Sequence, residues 1–204
     1  MNLLQLKAVA CSAANNAQKF FLYLDDTCTR FGISSPVSQL CFLAQVSHES
    51  GGLFYTEELA NGAAYEDRKD LGNTHPGDGV LFKGRGLIQI TGRVNYTAIG
   101  ADLGVDFVNN PTLLGGKNIN VCTTDQLKYA ALSAGWFWNK TGLNSIADKI
   151  NLHEAIDEGA NLEHFKEITK RINGGYNGLP DRLHRYKEGN DVFSLTTTLS
   201  NITS

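Results

Sequence analysis

No run of apolar residues in this 204-residue chain approaches the length of a membrane span, which excludes a spanning helix. Positive charge is scarce as well: the formal net charge is −3 and the sequence pI is about 5.9. That balance leaves no global field to hold a nucleic acid, and no nucleic-acid motif is present. The opening residues, Met-Asn-Leu-Leu-Gln-Leu-Lys, lack a basic region leading into an apolar core and a small-residue cleavage site, so a secretory signal is not expected. Cysteine is sparse and scattered. Cys11, Cys28, Cys41 and Cys122 match no zinc spacing, and without a secretion signal they are expected to be reduced thiols, mostly in the core. Internal repeats, low-complexity tracts and a linker are all missing, so residues 1–204 are expected to form one domain.

Against these absences, 42% of the residues are hydrophobic, enough to bury a real core. Residues 3–32 and 35–50 read as helices separated by Gly32-Ile33-Ser34-Ser35-Pro36. Ser35 can cap the second, Pro36 sits where a missing N–H costs nothing, and Gly51 can take the left-handed conformation that ends it. Residues 59–86 carry six glycines and Pro76 and read as loop, with one short helix around Tyr65–Leu71. Leu87–Thr91 alternates like an extended segment, placing Gln89 and Thr91 on one side. A helix is expected over Arg93–Leu103 with Val94 and Ala98 on its apolar stripe. Thr123 and Gln126 form a capping box for another running to about Asn139, and the Trp136-Phe137-Trp138 cluster is assigned to the core. Asn161 is expected to cap a helix that Gly174-Gly175 ends, delivering Asn173 at a turn. Ser194–Ser204 reads as a loosely docked tail.

The chemistry concentrates around Glu49. It falls in the last turn of a helix that is apolar nearly all round, where desolvation and the helix dipole both disfavour the charged carboxylate. Such a group suits general-acid work near neutral pH. Glu58 stands nine positions on, past the Gly51-Gly52 turn, free to face it across a cleft. Glu57 is a rival for the second carboxylate, and Glu66 and Asp67 are weaker rivals. His48, beside Glu49, can orient it or bind substrate.

Four ordered blocks resemble the family 19 glycoside hydrolases, the chitinase-like fold that includes many phage endolysins. They are Phe42–Gly52 around Glu49, Glu58 itself, Lys83–Tyr96, and Ile172–Gly175 followed by Asp181-Arg182 and Tyr186. The resemblance covers about residues 15–190. It implies a mainly α fold of two helical lobes around a substrate groove, with at most a small sheet near residues 87–91. It also implies inverting hydrolysis without metal or organic cofactor: Glu49 is the acid, Glu58 the base, and Thr91 positions the water. The carboxyls then stand roughly 6.5 to 9.5 Å apart. By the same resemblance His48, Gln89, Asn95, Tyr96 and Asn173 bind substrate, and Arg182 joins them while anchoring the carboxylate network.

Within that family the glycan is chitin or peptidoglycan. Residues 166–187 hold Lys166, Lys170, Arg171, Arg182, Arg185 and Lys187 against Glu167 and Asp181, six minus two or +4, a basic end that suits an anionic wall. The compact chain without a signal also resembles endolysins of phages. A monomer acting on peptidoglycan glycan strands is therefore expected, held in the host cytoplasm until released to the cell wall. A chitinase is the first alternative and an inactive wall-binding protein the second.

Overall fold

The computed structural model describes residues 1–202, with the side chains of Ala14 and residues 195–202 left aside. Nine α-helices appear among the described residues: α1 Leu3–Ala10, α2 Ala14–Arg30, α3 Pro36–Glu49, α4 Asp78–Leu81, α5 Arg93–Leu103, α6 Thr124–Lys140, α7 Asn144–Ala147, α8 Gly159–Asn173 and α9 Leu179–Ile202. Extended pairing among them is limited to two isolated antiparallel bridges, Glu57 with Arg85 and Arg85 with Ile90. The fold is mainly α, as expected.

α3 is the central helix. Ser35 accepts from the Ser38 N–H at 3.1 Å and Pro36 opens the first turn. From Val37 to Ser47 all but one residue is buried, because α1, α7 and α9 pack around it. Phe42 meets Trp138 edge-on at 5.4 Å, which ties α3 to α6. The capping box of α6 forms as expected, with Thr123 accepting from the Gln126 N–H and Gln126 accepting from the Thr123 N–H. Trp136 and Trp138 are core residues, and Trp138 donates its indole N–H to Asn144 at 2.7 Å. Cys28 and Cys41 lie in the core, where burial pushes their thiols above the ordinary range, Cys28 to about 12.

Several local expectations are corrected. The helix read over residues 3–32 breaks at Cys11, which takes a left-handed φ of 46° and closes α1; Ala14 begins α2. Asn161 does not cap α8. Glu158 holds that position, and Asn161 is buried one turn in, donating to the Asn151 carbonyl at 2.9 Å and accepting from the Asn151 N–H at 2.9 Å. It staples the loop before α8 to the helix. Val94 is 52% exposed, so the buried stripe of α5 is Tyr96 and Ile99 instead. The tail expected over residues 194–204 lies, from residue 195 on, outside the residues whose side chains are described.

Leu87–Thr91 is not a strand. Arg85 and Ile90 exchange both backbone hydrogen bonds, at 3.1 and 2.8 Å, closing the four residues between them into a turn. Gln89 reaches it through a left-handed φ of 59°. The alternation of apolar and polar residues reflects burial of Ile88 and Ile90 on the turn rather than extended pairing.

Candidate active site

α3 ends on Glu49, and the chain beyond it reverses within three residues. Gly51, Gly52 and Leu53 all have left-handed φ, at 59°, 72° and 63°. Glycine accepts this conformation freely, whereas leucine is strained there by roughly 1–2 kcal/mol. Leu53 is held by full burial and by its N–H donating to Ser50 Oγ at 3.0 Å. Asn16 donates to the Gly52 carbonyl at 3.1 Å, fixing the turn to α2. The sharpness of this reversal sends the segment leading to Glu58 away from the helix.

Glu49 belongs to a cluster built by helices. Arg182, in the first turn of α9, is fully buried and donates from Nη2 to Glu49 Oε1. Its Nη1 donates to Gln45 Oε1 at 2.6 Å and its Nε to the Asn177 carbonyl at 3.3 Å. Gln45 in turn donates to Thr169 Oγ1 at 3.0 Å. Arg182 makes three hydrogen bonds inside the protein and has no exposed surface, so it positions Glu49 and is walled off from any substrate. The helix alone did not reveal this counter-charge. His48 Nδ1 lies 2.6 Å from Asp181 Oδ2, and Arg185 donates to the same oxygen at 2.7 Å. Burial raises the Asp181 carboxyl, but these bonds and charges outweigh it and hold the group below its ordinary range. Gly178 presses on the imidazole so closely that a Cβ there would sit 2.1 Å from Nε2. His48 thus packs against the C-terminal segment.

Glu58 belongs to a second cluster, built by loops. Its N–H donates to the Gly84 carbonyl at 3.0 Å, and the Tyr65 hydroxyl donates to its Oε2 at 2.9 Å. Oε1 is buried and has no partner within the protein, and Gln89 Oε1 shares that condition. Both side chains border Gly84: a Cβ there would stand 2.8 Å from Gln89 Oε1 and 3.4 Å from Glu58 Oε2. Thr91 donates its hydroxyl to the Gln89 carbonyl at 2.9 Å, leaving the oxygen's lone pairs open to a water. Asn95 donates to the Thr91 carbonyl at 2.8 Å.

The rival carboxylates are occupied. Glu57 is bonded by Lys83 at 2.8 Å and Arg85 at 2.7 Å. Burial raises its carboxyl, and the two cations with their hydrogen bonds bring it below the ordinary value. Glu66 accepts from the Gly77 N–H at 2.5 Å and the Gly79 N–H at 2.8 Å, clamping the glycine loop. Asp67 is exposed.

Of the residues expected in the groove, Tyr96 lies in the core, while Asn173 stands at the surface where the helix turn was expected to deliver it. Tyr96 is 0% exposed; its hydroxyl donates to the Lys83 carbonyl at 2.6 Å and accepts from Arg85 at 3.1 Å, so it supports the loop from the core and touches no ligand. Asn173 is exposed at the end of α8. Most of the basic end is ion-paired. Arg182 pairs with Glu49, Arg185 with Asp181, Lys187 with Asp157, Arg171 with Glu167 and Lys166 with Glu163. Of the six cations only Lys170 has no acidic partner among the described residues. Tyr65 was missed by sequence reasoning, since a lone tyrosine in a glycine-rich loop carries no periodic signal.

A family model described as chitinase class I matches residues 34–178, more than two thirds of the chain and including both carboxylates. A family 19 domain-containing protein of Haemophilus influenzae is 29% identical over 187 residues, covering 76% of this chain and 80% of that protein. An endochitinase of Arabidopsis thaliana is 35% identical over 133 residues, 65% of this chain. The chain spans only 38% of that plant protein's length. The crystal structure of chitinase C from Streptomyces griseus shares the fold, with a TM-score of 0.59 and 23% identity over 91% of this chain and 77% of that one.

Proposed function

The chain belongs to glycoside hydrolase family 19, and we propose that it hydrolyses a β-1,4-linked glycan containing N-acetylated sugars by inversion. The observation that carries the reading is the division of labour among the carboxylates. Of the candidates for the base, Glu58 alone combines burial with an oxygen unclaimed by the protein, and it stands beside the equally unclaimed amide oxygen of Gln89. Glu49 donates a proton to the glycosidic oxygen. Arg182 occupies Oε1, so that proton belongs on Oε2. Glu58 takes a proton from a water held by the Thr91 hydroxyl, the water oxygen bonds the anomeric carbon from the opposite face, and the leaving sugar departs with the proton of Glu49. Gln89 and Asn95 bind substrate amide or hydroxyl groups.

The substrate in this reading is the glycan strand of bacterial peptidoglycan, and the protein is an endolysin that waits in the host cytoplasm and lyses the cell on release. That reading rests on the resemblance of the Gly84–Arg93 motif to the endolysin-like members of the family. Chitin is the second reading, favoured by the endochitinase among the relatives and by the ion-paired state of the basic end, which weakens the case for an anionic polymer. Outer-membrane-permeabilised Gram-negative cells and colloidal chitin separate the two. Turbidity loss that vanishes in Glu49→Gln while wall binding persists supports peptidoglycan. Chitooligosaccharide release without lysis moves the assignment to chitin, and neither activity from the folded protein sinks both.

A further inference from the structure

We propose that Tyr65 is the positioning residue of the base: its hydroxyl holds Glu58 Oε2 and fixes the direction in which the carboxylate faces. The inference rests on the assignment of Glu58 as the base.

The loop that carries Tyr65 is folded for this purpose. Asp78 has no exposed surface and accepts from both Nε and Nη2 of Arg93, at 2.9 and 2.5 Å, and from the Thr74 and His75 N–H groups at 3.0 and 3.1 Å. Asn73, also fully buried, bridges two elements: its amide donates to the Tyr65 carbonyl at 2.8 Å, while its Oδ1 accepts from the Arg93 N–H at 2.9 Å. The backbone of Tyr65 is thereby tied to the start of α5. Glu66, the next residue, is clamped to Gly77 and Gly79. One side of Tyr65 is thus fixed to the helix that follows Thr91 and the other to the glycine loop, which fixes the backbone from which the phenol extends.

Tyr65 reaches Glu58 from seven positions downstream at 2.9 Å. A tyrosine hydroxyl has one proton to give, and here it goes to a carboxylate, a charge-assisted bond that favours the ionised acceptor. Burial, then the bond to Glu58 and its charge, raise the Tyr65 phenol above its ordinary value, so it remains a donor across the working range of pH. With Oε2 held by Tyr65 and Oε1 buried without a partner in the protein, the carboxylate is fixed in one orientation. A carboxylate free to rotate would present either oxygen and lose that direction.

Tyr65→Phe keeps the ring and removes only the donor. Initial rates are measured on dye-labelled sacculi or chitohexaose, whichever the unmodified protein cleaves. The expected result is a fall in kcat of about tenfold or more with KM changed less than threefold, and an acid limb of the kcat/KM profile displaced to higher pH. Replacing Tyr65 by 3-fluorotyrosine, a stronger donor of the same shape, should move the limb to lower pH. A wild-type kcat and unmoved limb in both variants overturn the proposal. The assignment of Glu58 fails separately, if Glu58→Gln retains full activity. Circular dichroism confirms that each variant is folded, and the fluorinated protein tests the bond should the phenylalanine variant not be.

Discussion

Glu49 is delivered by a helix and Glu58 by a loop, and the two are held by different physics. Around Glu49 the scaffold is α3 packed by α1, α7 and α9, with Arg182 and Gln45 sealed between helices. Around Glu58 the loop over residues 59–81 buries no apolar side chain, and apolar packing resumes only at Phe82. The segment from residue 59 to 92 is ordered instead by buried polar bonds: Asp78 to Arg93, Glu66 to two glycine amides, Asn73 across to Tyr65, and Glu57 to Lys83 and Arg85. Burial of apolar surface is non-directional and tolerant, whereas a polar network depends on each partner and on its charge. One half of the site is therefore expected to respond to loss of packing or of a buried pair as a change in global stability. The other should respond as local opening that costs activity first.

The largest effects should erase the contrast, because both halves are needed for turnover. Glu49→Gln and Glu58→Gln are each expected to lower kcat by about a thousandfold, within the range of general acid–base catalysis, with glycan binding retained. A pull-down on the substrate run beside the rate assay checks this, and a large gap between the two variants would mean that one carboxylate is misassigned.

Arg182→Met should sharpen the contrast from the helical side. It leaves half-buried Glu49 and buried Gln45 without their partner, and breaking a largely buried pair costs about 3 kcal/mol. Thermal unfolding should show it as a clear drop in Tm. Unchanged Tm would place Arg182 outside the stabilising core.

From the loop side the lever is pH. Hydrogen bonds from Arg93, helped by the His75 and Thr74 N–H groups, hold Asp78 well below the ordinary carboxylate range against the opposing effect of burial. A carboxylate depressed in the folded state stabilises it above its unfolded value, near pH 4, and that contribution is lost as pH falls further. Hydrogen exchange over residues 62–82 should therefore accelerate below about pH 4 while α3 stays protected. Equal acceleration in both would show that the halves unfold as one.

Glu57→Gln gives the smallest change. It weakens the ion pairs to Lys83 and Arg85 without touching the reacting oxygens, so the rate should fall less than tenfold. A loss matching that of Glu58→Gln would restore Glu57 as the base.

The same contrast decides what could be read from the chain before its structure. Periodicity and caps report local backbone preference, and the helical half is written in that language: Ser35-Pro36 opens α3, Gly51 ends it, and Thr123 with Gln126 begins α6. The fold and the position of Glu49 follow from such signals. Glu58 was reached by its spacing from Glu49, Gln89 and Thr91 took their roles only through resemblance to a family, and Tyr65 was not reached at all. Their geometry depends on partners far apart in sequence, such as Glu57 with Arg85 and Asn73 with Arg93. Leu87–Thr91 misled for a related reason. Alternating burial is shared by strands and tight turns, and the backbone bonds between Arg85 and Ile90 that decide between them leave no mark on side-chain pattern. The charge of the basic end was overcounted, because counting along a segment ignores the carboxylates that other segments fold against it.

The left-handed backbone of Gln89 has a consequence for how such a site can drift. A side chain held at a φ of 59° works against its own fold by roughly 1–2 kcal/mol, and glycine at that position would relieve the strain. Selection for robustness alone would thus remove Gln89, together with the amide oxygen that borders Glu58. Its presence marks the place where a thermostable, inert descendant of this protein would first part from an active one.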